Sequence, residues 1–284
     1  MIMVTGANGQ LGGDVCEILK KENEEFIGCD IDTLDLTDEN AVNAFFDAHS
    51  FDAVIHCAAY TAVDNAQDNE DLCMKVNFDA TKTIAQNCAK HDIKLIYIST
   101  DYVFDGSGET PFETEDTKGP LNVYGKSKLL GEEAVKKAMN KYFIVRTSWV
   151  YGEKNTNFIH TMLKLSKAHE QVSVVCDQIG SPTYSKHLAK LLCKMVKTEK
   201  YGTYHATNEG FCSWSQLAAE TFKISGKSTK VIEVTTAQYK SKAKRPLNSR
   251  LSKKSLDDAN FERLPKWQDA VKEYIFNINK QEEH

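Results

Sequence analysis

Ile2-Met3-Val4-Thr5-Gly6-Ala7-Asn8-Gly9-Gln10-Leu11-Gly12 opens the chain and decides its fold. A short apolar run enters a glycine-rich turn, and a helical pattern starts at Gln10. The glycines let the backbone turn sharply and approach a pyrophosphate closely. The helix start offers free N–H groups and the positive end of its dipole. The spacing is GxxGxxG rather than GxGxxG, so the motif alone carries little. Its place between a first strand and a first helix makes Gly6, Asn8, Gly9, Gln10, Leu11 and Gly12 the expected cradle for a dinucleotide.

Outward from this turn, short apolar runs alternate with helical patterns. The runs are Ile2–Thr5, Phe26–Asp30, Ala53–Cys57, Leu95–Ser99 and Phe143–Thr147. The helical patterns lie near Gln10–Glu22, Glu39–His49, Asp71–Lys90 and Lys126–Met139. Strands that are apolar throughout, each followed by a helix, imply a parallel sheet covered on both faces. After Thr147 the pattern loosens. Helical stretches recur at Phe158–Lys167, Lys186–Lys197, Trp214–Phe222 and Trp267–Asn279, with strand-like pieces at Val172–Val175, Gly202–Ala206 and Val231–Val234. The expected fold is α/β, a Rossmann-type doubly wound parallel sheet with a smaller C-terminal α/β lobe. Residues 1–150 form the first domain, 180–200 return to it, and 151–179 with 201–284 form the lobe.

The second run ends in Cys29-Asp30-Ile31, with Asp30 18 residues after Gly12. A carboxylate there accepts hydrogen bonds from the adenosine ribose diol and repels a 2′-phosphate. No Arg or Lys follows at once, so NADH is expected over NADPH, with NADPH as the second choice. Asp35-Leu36 come next, where an acid could meet the adenine amino group or simply sit in a surface loop.

The fourth run ends in Ser99-Thr100-Asp101-Tyr102, and Tyr124-Gly125-Lys126-Ser127-Lys128 follows. Tyr124 and Lys128 are four apart and share one face of a helix. A tyrosine holds its proton to pH about 10. A nearby ammonium eases its loss, which makes Tyr124 a proton donor to a carbonyl oxygen that Thr100 can hold. A lone YxxxK is common by chance; its weight comes from the glycine turn and the Ser99-Thr100 strand end.

Composition narrows the rest. Of 284 residues, 41% are hydrophobic and 26% charged, the balance of a globular domain. The formal net charge is −5, against a nucleic-acid partner, which calls for a basic surface. No apolar run approaches the roughly 20 residues of a membrane span, so no membrane association is expected. Eight cysteines show no CxxC pair and several lie in apolar runs, which implies reduced, buried thiols. No basic stretch precedes an apolar one at the N-terminus, so the expected location is the cytoplasm. His56 and His205 lack metal-ligand spacing and are expected to be packed polar residues.

With these elements together, the chain resembles the extended short-chain dehydrogenase/reductases, and within them the dTDP-4-dehydrorhamnose reductase family. The stretches that carry the resemblance are His56–Asp64, Ser99–Gly106, Pro120–Lys128, Arg146–Tyr151, Asp177–Thr183 and Arg245–Leu251. The last two lie outside the cofactor domain and point to the subfamily.

The resemblance implies a catalytic set of Thr100, Tyr124 and Lys128, with Lys128 also on the nicotinamide ribose and Asn77 supporting the proton path. It implies that Ala58, Ala59 and Tyr60 line the cofactor cleft. It places Val63, Thr100, Asp101, Tyr102 and Trp149 against a deoxysugar, with Arg245 and Asn248 facing the nucleotide. A guanidinium fork suits a diphosphate, and Trp149 serves either as a wall for a sugar ring or as core. Some relatives form magnesium-linked dimers through glutamates, one just after the glycine loop. Asp14 stands there in this chain and no further partners are evident, so no metal is expected, and the chain is read as a monomer or homodimer. Two other readings compete. One is a sugar-nucleotide epimerase or dehydratase of the same superfamily; sugar dehydratases resembling this fold carry Thr-Asp-Glu at the strand end, whereas Tyr102 follows Asp101 here. A non-catalytic subunit, like the regulatory partner of methionine adenosyltransferase, has no need of Thr100, Tyr124 and Lys128 together.

Overall fold

Strands form where every side chain can be buried, and the five apolar runs of the first half do so in the computed structural model, which describes residues 1–282. The chain runs β1 (Ile2–Thr5), α1 (Gln10–Lys21), β2 (Phe26–Cys29), α2 (Glu39–Ala48), β3 (Ala53–His56), α3 (Val63–Ala66), α4 (Glu70–Met74), α5 (Ala80–Lys90), β4 (Lys94–Thr100), α6 (Val123–Ala138) and β5 (Tyr142–Thr147). It continues through β6 (Val150–Tyr151), α7 (Phe158–Leu165), β7 (Gln171–Val175), β8 (Ile179–Gly180), β9 (Thr183–Tyr184), α8 (Ser185–Met195), β10 (Gly202–His205), β11 (Cys212–Ser213), α9 (Trp214–Ile224), β12 (Lys230–Val234), β13 (Asn248–Ser249), α10 (Lys254–Asp258) and α11 (Trp267–Glu282).

The main sheet has six parallel strands in the order β2-β1-β3-β4-β5-β10. Its residues alternate between two cores. Ile2, Val4, Ile55, Ile96, Phe143 and Val145 face α1 and α8. Met3, Val54, Leu95, Tyr97 and Ile144 face α2, α5 and α6. Burial on both faces explains why these strands read as continuous apolar runs. The strand order reverses between β2 and β3 on either side of β1, which opens a crevice at the carboxyl ends where the glycine loop lies.

Gly202–His205, expected in the smaller lobe, pairs instead with β5 as the sixth strand of the main sheet, Gly202 opposite Phe143 through His205 opposite Arg146. Leu256, Phe261 and Leu264 also join the core beneath α1 and α8. The remaining strands are short: β11-β8-β13, β12-β7 and β6-β9. The single helix expected over Asp71–Lys90 is broken by a π-helical turn at Lys75–Asp79. The helix expected from Lys126 starts at Val123. No helix among the described residues is long and apolar enough to cross a membrane.

Asp14 sits in the seam between α1 and α8, 6% exposed, where the Ser185 hydroxyl donates to it. It is therefore buried rather than presented to a neighbour, and the described residues contain no His/Cys/Asp/Glu cluster suited to a metal. Burial raises its pKa from 3.8 to about 6. The ionised form thus costs stability once the pH passes about 6, and that cost fades toward pH 4. Asp14→Asn keeps an acceptor for Ser185, so it should raise stability at pH 8 by at most about 3 kcal/mol and change little at pH 4. Superimposable denaturation curves at pH 8 would contradict this.

Candidate active site

The glycine turn is shaped by what a side chain would strike. Gly6 has φ of +65°, and a Cβ there would lie 2.8 Å from the Ala58 nitrogen. A Cβ on Gly12 would lie 2.1 Å from the Gly6 carbonyl oxygen. The first turn of α1 therefore packs directly on the loop, which keeps its N–H groups open to the crevice. Asp30 is tied to this loop: one carboxylate oxygen accepts from the Asn8 N–H and the other from the Ile31 N–H, each at 2.9 Å. Both oxygens keep lone pairs for a diol. Asp35 is exposed and accepts from the Thr37 N–H and hydroxyl, which hold its carboxyl below the usual range. Leu36 beside it is half-buried.

On the other side of the crevice, Ala58 donates to the Thr5 hydroxyl at 3.2 Å. Asn77, within the π-turn, is 1% exposed and clamps Tyr60 from both sides. Its Oδ1 accepts from the Tyr60 N–H at 2.8 Å, and its Nδ2 donates to the Tyr60 carbonyl at 3.1 Å and to Ser127 at 2.9 Å. The residues that follow β3 are thus fixed to the helix that carries Tyr124. A dinucleotide fits this cradle: the Gly6 and Gly12 positions admit no side chain, and the Asp30 carboxylate stands at the ribose distance from them in sequence.

Tyr124 lies in the first turn of α6, which Asn122 caps by accepting from the Gly125 N–H at 2.9 Å. Gly125 lets the helix close onto the turn after β4, since a Cβ there would lie 2.3 Å from the Tyr102 carbonyl oxygen. Burial raises the Tyr124 phenol well above its usual pKa, and the Thr100 hydroxyl beside it offsets part of that rise. Thr100 donates to Asp101 Oδ1 at 2.9 Å. Asp101 is 3% exposed and its pKa is raised to about 6 by burial, against the pull of the Ser249 and Thr100 hydroxyls. Lys128, on the same face as Tyr124, is buried, and burial lowers its pKa to about 7. His56 and His205 are buried and hydrogen-bonded, as packed polar residues are.

The substrate side is less uniform. Thr147 pairs with Thr100 across β5 and β4, and Trp149 lies two residues beyond Thr147. Trp149 adopts φ of +50°, an unusual conformation for an aromatic residue, and stacks on Trp214 at 3.8 Å between ring centroids. Gly180 makes room behind it, where a Cβ would lie 2.9 Å from its ring. Arg245 is held by Asp64, beside Val63 at the start of α3, through two bonds of 2.9 and 3.2 Å, and it also influences Tyr102. It approaches the site already paired rather than free. Asn248 is engaged within the chain: its Nδ2 donates to the Ser107 and Thr110 carbonyls and its Oδ1 accepts from Arg250. Its side chain, 2% exposed, holds the 106–110 loop against Arg250. Sequence reasoning missed Trp214 and Asp64. Asp64 closes the quoted His56–Asp64 stretch, whereas nothing in the spacing of Trp214 pairs it with Trp149.

The strand order, the glycine turn at its switch point and the grouping of Thr100, Tyr124 and Lys128 define a nicotinamide-dependent oxidoreductase of the extended short-chain dehydrogenase/reductase superfamily. Residues 1–280 match the family described as the RmlD substrate binding domain, and the chain belongs to that family. It is 38% identical to the spore coat polysaccharide biosynthesis protein SpsK of Bacillus subtilis (strain 168), over 96% of each chain. Its structure is similar to that of a dTDP-4-dehydrorhamnose reductase from Clostridium acetobutylicum ATCC 824, with a TM-score of 0.96, 41% identity and coverage of 98% of this chain and 99% of that one. It is also similar to the Bacillus anthracis str. Ames dTDP-4-dehydrorhamnose reductase solved in complex with NADP, with a TM-score of 0.95, 39% identity and coverage of 97% and 98%.

Gly12→Ala tests the cradle. A methyl group 2.1 Å from the Gly6 oxygen must push α1 off the loop. The expected result is NADH affinity reduced about tenfold or more, the scale of 1–3 kcal/mol of overpacking, read by fluorescence titration. Wild-type affinity would show that α1 need not pack on the loop.

Proposed function

We propose that the protein reduces the 4-keto group of a dTDP-linked 6-deoxysugar, taking dTDP-4-dehydrorhamnose to dTDP-rhamnose in the cytoplasm, as a monomer or homodimer. The observation that supports this reading is the bond between Tyr124 and Thr100 at the carboxyl end of β4, with Asp101 beside Thr100 and Lys128 one turn further along the same face of α6. The names borne by the Clostridium and B. anthracis relatives support the substrate, and that of the B. subtilis relative supports a product used in cell-surface polysaccharide.

Bound, the nicotinamide supplies the hydride that the ketone carbon takes up. Tyr124 gives its phenolic proton to the carbonyl oxygen, a proton that its raised pKa keeps in place at neutral pH. Lys128 stands one helical turn behind and stabilises the phenolate as it forms. Thr100 orients the carbonyl oxygen. Asp101 and Tyr102 contact the sugar hydroxyls, and Trp149, with Val63 across the cleft, supplies an apolar wall. Arg245, held in place by Asp64, meets the diphosphate through the N–H groups left over from that pair. On the cofactor side, Gly6 to Gly12 hold the pyrophosphate, Ala58, Ala59 and Tyr60 border the nicotinamide half, and Asp35 and Leu36 lie toward the adenine. Asp30 accepts from the ribose and disfavours a 2′-phosphate, so NADH is the preferred donor.

The test is consumption of NADH and of NADPH by purified protein with a panel of 4-keto-6-deoxy sugar nucleotides. NADH should bind more tightly than NADPH. Tyr124→Phe should lower kcat by about 10²–10⁴, the usual worth of general acid catalysis, and leave NADH affinity unchanged. A variant that keeps more than about half of kcat while chemistry limits the rate would overturn this mechanism.

A further inference from the structure

Lys128 is buried, and no carboxylate among the described residues is bonded to its ammonium. Its Nζ lies over the face of Tyr97, 4.1 Å from the ring centroid. Tyr97 is wholly buried on β4, three residues before Thr100, and its hydroxyl donates back to the Lys128 carbonyl at 3.3 Å. The ring fits under α6 only because residue 131 is glycine, where a Cβ would lie 2.2 Å from the Tyr97 hydroxyl.

One turn beyond Lys128, Glu132 faces the same way and is 1% exposed. It accepts from Ser99 at 2.6 Å and pairs with Arg146 through two bonds of 2.7 and 2.6 Å. The other titratable groups around the ammonium are Cys57 beyond β3, Cys73 on α4 and His56 on β3, and Tyr124 lies one helical turn before it on α6. Burial keeps each of these four neutral near pH 7: it raises the thiols and the phenol and lowers His56 to about 3. The charge therefore depends on an aromatic face and on one anchored carboxylate a helical turn away. A direct salt bridge would draw the ammonium off Tyr124, whereas a ring face attracts it without quenching its charge.

We propose that Tyr97 and Glu132 are positioning residues for the reduction, the ring and the Arg146-anchored carboxylate together keeping the Lys128 ammonium charged and aimed at Tyr124. This rests on the role given to Lys128 above.

The test is the titration of Lys128 in the cofactor-free protein, followed by NMR of side-chain-labelled lysine and assigned by the loss of its signal in Lys128→Arg. The wild-type midpoint is expected near pH 7. Tyr97→Leu should lower it by about one pH unit, as expected for loss of a desolvated cation–π contact, and Glu132→Gln should lower it as well. Tyr97→Phe keeps the ring and should hold the midpoint within about 0.3 units of wild type. With whichever keto sugar the wild type reduces, the high-pH fall of kcat should shift down by the same amount, with KM for NADH within about twofold. A merely structural role would lower the melting temperature and leave both titrations in place. Glu132→Gln leaves the Arg146 guanidinium unpaired; if it does not fold, the Leu and Phe variants of Tyr97 decide the matter. A folded Tyr97→Leu with an unmoved midpoint overturns the proposal. The titration needs no substrate, so it reports on Lys128 even if the ketone reduced is a different one.

Discussion

The bidentate pair between Arg146 and Glu132 is the contact on which the site's geometry depends. Both side chains are inaccessible to solvent, at 0% and 1% exposure. Two buried charges are costly to desolvate, and the cost is met only when every partner is in place. Here Ser99 completes the carboxylate and the Thr114 carbonyl accepts from the guanidinium. The pair joins β5 to α6, and Ser99 adds β4. The rotation of α6 about its axis is thereby fixed. Tyr124 and Lys128 then face the end of β4, where Thr100 follows Ser99. Removing one partner would leave an uncompensated buried charge, at a cost of roughly 3–5 kcal/mol.

A second constraint acts at the opposite end of the crevice. Gly6 and Gly12 allow loop, strand and helix to approach closer than any side chain permits. The Asp30 carboxylate then bridges the loop to the end of β2. Asn77 couples the two ends, since it holds Tyr60 on the cofactor side and Ser127 on α6. The glycine loop's side of the crevice and the helix that carries Tyr124 are therefore tied together at the carboxyl edge of the sheet.

Much of this frame is legible in the chain. The inner strands β1, β3, β4 and β5 read clearly because their residues are buried on both faces, and the Tyr124/Lys128 spacing shows a shared helical face without any structure. Less visible were features set by tertiary contacts. Gly202–His205 is an edge strand with one neighbour, so its sequence need not be apolar, and it reads as part of the lobe. The paired strands β8 and β13 are two residues each, too short for any periodicity. Asn248 and Arg245 look alike in sequence as polar residues of one motif, yet one is spent on a loop and the other is held by Asp64. Trp214 lies 65 residues from Trp149, and their stacking follows only from the way Gly180 and α9 meet.

The central claim is that hydride passes from a nicotinamide to the carbonyl carbon of a 4-keto sugar nucleotide and remains there. It is tested most directly by turnover of dTDP-4-dehydrorhamnose with NADH deuterated at C4 of the nicotinamide, each face in turn, and NMR of the sugar product. One deuterated form should give a single deuterium at C4 of the deoxysugar, with one equivalent of NADH oxidised per product. A product free of deuterium with both forms, or a product formed without net loss of NADH, would contradict the account and point to an epimerase or dehydratase.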